Sequence, residues 1–260
     1  MHIDGFELSN AAFEGKTYPV YRAGSGPGVI VVHEVPGITP PVAEFARRLV
    51  DRGFTVFMPS LFGTVGKPAT IPYSLSSMMR ACVSREFHCL AIRQASPITS
   101  WLRALARQAH HELGGPGVGV IGMCLTGGFG LAMMVDDSVA APVLSQPANP
   151  LPFGKARQAG LGLSEADIAA VKKRAEEGCQ VLGLRFTSDA AVRRARFDAL
   201  RNLLGDNFIS IEIDSSKGNP YGIKRSAHSV LTEEFVDEPG HPTRDALESV
   251  LTFFDRRLRV

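Results

Sequence analysis

The residues best suited to do chemistry lie in one short run, residues 119–128 (GVIGMCLTGG), centred on Cys124. The apolar residues Val118 to Met123 predict a strand, and Leu125 to Val135 predict a helix that follows at once, so Cys124 sits on the turn between them. A nucleophile on such a turn is held in a strained conformation, and Gly122, two positions earlier, keeps the backbone clear of a steric clash. The N-terminus of the following helix presents backbone N–H groups and the positive end of its dipole, which favour a thiolate and an oxyanion. A single cysteine is more often a small buried hydrophobe, but the glycines on either side and the strand-to-helix context favour the nucleophile. Thr126 stands two positions after the cysteine, where glycine is commoner.

A cysteine nucleophile needs a base and a group to orient it. Asp189 closes the strand-like segment VLGLRFTSD, and His228 lies in the loop SAHSV after the last strand-like segment. Taken alone, Asp189 fits a helix N-cap before Ala190, and His228 fits a surface-loop histidine. Together they follow Cys124 in the order nucleophile, acid, histidine, each at the C-terminal end of a strand, which is the order of α/β-hydrolases. Asp214 ends the last strand close to the histidine loop, where a turn-stabilising residue is expected, so Asp189 is the better candidate acid.

The elements that position these groups alternate strand and helix, the pattern of an α/β fold with a mostly parallel central sheet and helices on both faces. Strands are predicted at Gly28–His33, Phe54–Met58, Val118–Met123, Ala141–Ser145, Gln180–Phe186 and Phe208–Ile213. Helices are predicted after Thr39 with Pro40 at the first position, from Ser96-Pro97 to Gly114, after Ser164, over Ala190–Leu204, and over Thr243–Arg257. Residues 63–95 read as a loop with short helices, and 148–163 as a Pro/Gly-rich loop. No repeat or low-complexity linker divides the chain, so residues 1–260 are expected to form one domain.

The segment His33-Glu34-Val35-Pro36-Gly37 after the first long strand, the Cys124 turn, Asp189 and His228 together resemble the dienelactone hydrolase family, over most of the chain from about Gly28 onward. The resemblance implies a single-domain α/β-hydrolase with a Cys124–Asp189–His228 triad acting on esters or lactones through a thioester acyl-enzyme. It also implies that Glu34 is a thiol-gating acid whose carboxylate contacts Cys124 in the resting enzyme. The backbone N–H groups of Val35 and Leu125 match the family's oxyanion hole. Enzymes of the family specialised for dienelactone hold the substrate carboxylate with arginines, one of them four residues beyond the catalytic histidine. Thr232 occupies that position here; Arg85 is a candidate carboxylate contact, with a helix-surface ion pair near Glu86 as its more ordinary role, and the insertion 148–178 lies where it shapes the mouth.

Composition narrows the alternatives. With 260 residues, 45% of them apolar, the chain needs no staples to bury a core. Lys plus Arg number 28 against 26 Asp plus Glu, which argues against a dedicated nucleic-acid binder. Arg193, Arg194, Arg196 and Arg201 therefore read as a solvated helix face. Cys82, Cys89, Cys124 and Cys179 form no C-x-x-C pair, and His110-His111 point apart on a helix, so no metal or other cofactor is expected. Nothing near the N-terminus resembles a secretion signal, and the uncharged stretch Gly117–Val135 contains six glycines, so the protein reads as cytoplasmic with no membrane span. The expected partner is a small-molecule ester or lactone, the oligomeric state is left open, and the competing reading is a catalytically inactive α/β-hydrolase scaffold that binds a ligand or partner.

Overall fold

Alternation along the central strands sets the architecture. In β3 (Gly28–Val32), Val29 and Val31 enter one apolar cluster while Ile30 and Val32 enter another on the opposite face. A strand buried on both faces has no polar side, which is why its sequence is a continuous apolar run. The computed structural model describes residues 2–83, 97–149 and 159–259. Within them eight strands form one sheet: β1 (Glu7–Phe13), β2 (Lys16–Ala23), β3, β4 (Thr55–Pro59), β5 (Val118–Met123), β6 (Val139–Ser145), β7 (Val181–Phe186) and β8 (Phe208–Ile213). Their order is β1-β2-β4-β3-β5-β6-β7-β8, antiparallel from β1 to β4 and parallel from β4 onward.

Helix α1 (Pro40–Asp51) packs on one face together with α7 (Pro242–Leu258). On the other face lie α3 (Pro97–Leu113), α4 (Gly127–Met133), α5 (Glu165–Glu176) and α6 (Arg194–Leu204). The hydroxyls of Thr39 and Ser164 accept backbone N–H bonds at the starts of α1 and α5, as the cap residues in the sequence require. No helix among the described residues is long and apolar enough to cross a membrane.

Four features differ from the sequence reading. The region read as a loop with short helices contains a thirteen-residue helix, α2 (Ile71–Val83). Ile71, Leu75 and Met79, spaced four residues apart along it, face solvent rather than the core. The β1–β2 hairpin is a second addition. Its turn, Glu14-Gly15, holds both residues at positive φ, and β1 is mostly exposed. Third, α6 starts at Arg194 rather than Ala190, because the chain first bends to bury Val192 completely.

The fourth difference is that Arg196 leaves the solvated face assigned to it. Its side chain is buried, one amino group donates to Asn149 Oδ1 and the Gly160 carbonyl, and Nε has no partner among the described residues. Burial lowers its pKa to about 10. Asn149 and Gly160 belong to the two ends of the segment after β6, so Arg196 ties those ends together.

Besides the pairing of β2 with β4, the hairpin packs on the domain around one ring. Trp101 on α3 is fully buried, with Tyr18 edge-on at 5.0 Å and Phe13 tilted at 5.7 Å between centroids. Trp101→Ala is expected to cost about 3–5 kcal/mol by combining lost burial with the cavity left behind. Chemical denaturation followed by circular dichroism measures this; a loss below about 1 kcal/mol would mean that the hairpin collapses into the space.

Candidate active site

The strands converge at their C-terminal ends. Parallel pairing aligns Val32 of β3 with Gly122 of β5, so the segment 33–35 runs beside the turn at 123–125. Cys124 occupies the left-handed region at φ +55°, a conformation that costs a side-chain-bearing residue energy and must be held by its surroundings. Two residues hold it. A β-carbon on Gly122 would lie 2.2 Å from the Thr126 carbonyl oxygen, so only glycine fits. Thr126 Oγ1 accepts from Met123 N at 3.0 Å and faces the carbonyls of Val32 at 2.9 Å and His33 at 3.1 Å. The threonine that departs from the commoner glycine thus pins the turn to the neighbouring strand. Residues 124–126 form a 3₁₀ turn before α4 begins at Gly127.

Asp189 and His228 meet across 39 residues of sequence. The buried Asp189 carboxylate accepts from His228 Nδ1 at 2.6 Å through Oδ2, and from Ala191 N at 2.8 Å through Oδ1. The other ring nitrogen makes no bond to Asp189, and the Cys124 sulfur is close enough to influence the charge of the ring. Burial pulls the His228 pKa down, yet attraction to the Cys124 sulfur and the Asp189 carboxylate outweighs it and holds His228 well above 6.5. Asp214 lies elsewhere: it is exposed and accepts from Ser216 N at 2.8 Å, the turn-stabilising role foreseen for it.

Glu34 is buried and its carboxylate has three donors. Ser229 Oγ donates at 2.7 Å, Gln146 Nε2 at 3.2 Å, and Thr232 Oγ1 at close range. Among the described residues its hydrogen bonds go to these side chains rather than to the Cys124 thiol, the contact implied by the resemblance. Gln146 Oε1 in turn accepts from Val230 N at 3.3 Å, and Glu234 accepts from Ser229 N at 2.7 Å. Burial and repulsion from Glu34 raise the pKa of Glu234; Glu233 is raised by burial and by both neighbouring carboxylates. Gln146, Ser229 and Glu234 carry no spacing signal in the sequence, because two segments far along the chain bring them to Glu34.

Val35 is half-buried and Leu125 buried, and both pack in the same apolar cluster as Cys124 with Leu61 and Phe62. Arg85 lies outside the described residues. Among the described residues no group of three His, Cys, Asp or Glu side chains is arranged to hold a metal ion.

His33 anchors this end of β3. It is fully buried, donates from Nδ1 to the Glu34 carbonyl at 2.9 Å, and accepts at Nε2 from Leu61 N at 3.1 Å. That pairing requires the neutral ring, and burial lowers its pKa to about 4 against a small opposing effect of the Glu34 carbonyl. The unfolded chain takes up this proton near 6.5, so His33 contributes its full stabilisation above that pH and loses it as pH falls toward 4. Denaturation measured across this interval should show a decline of roughly 3 kcal/mol from this group, absent in His33→Gln. An unchanged profile in the variant would assign the acid loss elsewhere.

Known proteins resemble the chain in sequence and in fold. The sequence model of the dienelactone hydrolase family matches residues 16–257. A candidate carboxymethylenebutenolidase of Saccharomyces cerevisiae is 22% identical over 244 residues, covering 92% of this chain and 84% of the relative. The crystal structure of dienelactone hydrolase from Anabaena variabilis superposes with a TM-score of 0.62 at 14% identity, covering 98% of each chain. A cold-adapted esterase from an Arctic intertidal metagenomic library gives 0.62 at 14% identity, covering 99% of this chain and 97% of the esterase. At these identities the two structures speak for the fold alone. The family match spans nearly the whole chain, and the protein belongs to the dienelactone hydrolase family.

Proposed function

We propose that the protein is a hydrolase of carboxylic esters or lactones that uses Cys124 as nucleophile. The observation that carries this reading is the Asp189–His228 hydrogen bond beside a cysteine held at positive φ, whose sulfur interacts with the imidazole. Asp189 orients the ring and stabilises its charged form, and His228 takes the thiol proton. The sulfur attacks the substrate carbonyl carbon, and the backbone N–H groups of Val35 and Leu125 stabilise the tetrahedral oxyanion. Collapse expels the alkoxide, which takes its proton from His228, and leaves a thioester on Cys124. Water, deprotonated by His228, attacks the thioester; the acid departs and the thiol recovers its proton. Alkoxide and enolate leaving groups need little assistance, which favours esters and lactones over amides.

The charge around the site favours neutral substrates. Thr232 spends its hydroxyl on Glu34, and Glu34, Glu233 and Glu234 gather three carboxylates beside the histidine loop. No arginine or lysine pairs with Glu34 among the described residues.

Two measurements test this reading. With short p-nitrophenyl esters, Cys124→Ala should abolish turnover, Asp189→Asn should lower kcat by about 10²–10⁴, and Asp214→Asn should change little. Activity of Cys124→Ala equal to wild type would overturn the assignment, and collapse in Asp214→Asn alone would transfer the acid's role. In a substrate panel, a neutral ester should be processed at least as well as its carboxylate-bearing counterpart, because threonine cannot replace a bidentate arginine. A kcat/KM about tenfold higher for the anionic member would place a cation at the site, and Arg85→Ala would then identify it.

A further inference from the structure

Glu34 is flanked on one side by the proposed oxyanion donor Val35 and bonded on the other to Ser229, the residue after the proposed base. We propose that Glu34 is a positioning residue: its carboxylate fastens the His228 loop to the end of β3 and thereby fixes the base relative to the oxyanion donors. This rests on the reading of Cys124, His228 and Val35 given above.

The loop after His228 is held at three consecutive contacts, and all lead to the same carboxylate. Ser229 Oγ and Thr232 Oγ1 donate to Glu34 directly, while Val230 N is fixed through Gln146, which itself donates to Glu34. All the donors are hydroxyl or amide groups, so the partner must accept several hydrogen bonds at once, which a carboxylate does and an alcohol does not. Glu34 is 3% exposed and has no cationic partner among the described residues, so these donors are what make its burial tolerable. Glu34 raises the pKa values of Glu233 and Glu234, so the nearby charges on that loop are like rather than opposite in sign.

A structural tie of this kind and a carboxylate that guards the thiol predict opposite signs in one experiment. Glu34→Ala, Glu34→Gln and the donor-side variants Ser229→Ala and Thr232→Val are compared in the full chain by ester kinetics. The rate at which iodoacetamide modifies Cys124, assigned by mass spectrometry, is measured in parallel. If Glu34 positions the loop, Glu34→Ala lowers kcat by up to about a hundredfold with KM little changed. It also slows Cys124 modification, because the imidazole is no longer held against the sulfur. Glu34→Gln, which keeps the length and one acceptor oxygen, recovers part of both. Should Glu34→Ala fail to fold, Ser229→Ala and Thr232→Val must show the same joint fall in kcat and alkylation rate.

Faster alkylation in Glu34→Gln, or wild-type kcat and alkylation in all four variants, overturns the proposal. The two levels of inference fail separately. If wild-type Cys124 is inert and Cys124→Ala turns over esters normally, the active-site reading falls. If wild-type Cys124 is reactive and essential but indifferent to Glu34, only the positioning role falls.

Discussion

The site depends on a close backbone approach between the ends of β3 and β5. Thr126 places one hydroxyl among Met123 N and the carbonyls of Val32 and His33, joining a strained turn to a strand that is already locked in the sheet. Glycine at 122 makes the approach possible, and a second one at 127 lets the chain pass Pro147, where a β-carbon would come within 2.5 Å of its Cα. The left-handed conformation of Cys124 is therefore sustained by contacts that do not involve its own side chain. The sulfur remains available for the imidazole. His33 extends the same logic one residue further, since its ring holds the Glu34 carbonyl and the Leu61 amide and so sets the path of the loop carrying Glu34 and Val35.

Charge is managed by hydrogen bonds rather than by pairing in two places. Glu34 is buried on three donors, and Arg196 is buried on an amide and a carbonyl, with one nitrogen unmet among the described residues. A buried charge without a counter-ion is costly, and each persists only because neutral dipoles surround it. Both sit where separate segments must be joined: Glu34 between β3, β6 and the histidine loop, and Arg196 between the two ends of the segment that follows β6. The contrast with Arg185 and Arg201, which share Glu212 on the outer part of the sheet, shows the more ordinary solution.

Legibility in the sequence followed the physics of burial. Strands β3 and β5 to β7 are apolar on both faces, and the glycine pattern around Cys124 has few alternative meanings, so these elements and the Asp189–His228 pairing could be anticipated. The β1–β2 hairpin could not, because β1 exposes most of its residues and Pro19 interrupts β2. In helix α2 the apolar residues Ile71, Leu75 and Met79 lie on the solvent side, the reverse of the pattern that identifies a surface helix. The partners of Glu34 were also illegible. Gln146, Ser229 and Thr232 lie 112, 195 and 198 residues away and are brought together only by the sheet order. Arg196 failed for a related reason: a helix face rich in arginine looks solvated until another segment folds over it.

The two oxygens of Asp189 have separate duties, and this limits what can stand in its place. One oxygen accepts from the Ala191 amide and shapes the bend before α6, while the other accepts from the imidazole. A carboxylate satisfies both because each oxygen is an acceptor. A carboxamide has one acceptor and one donor, so it must choose. Keeping the bend turns its amino group toward Nδ1, which must then give up its proton, and the ring would present an N–H to the sulfur where a lone pair is required. Keeping the histidine leaves two N–H groups opposed at Ala191. The bend and the ring thus compete for the same atom in any isosteric replacement, and the position admits a symmetric acceptor only.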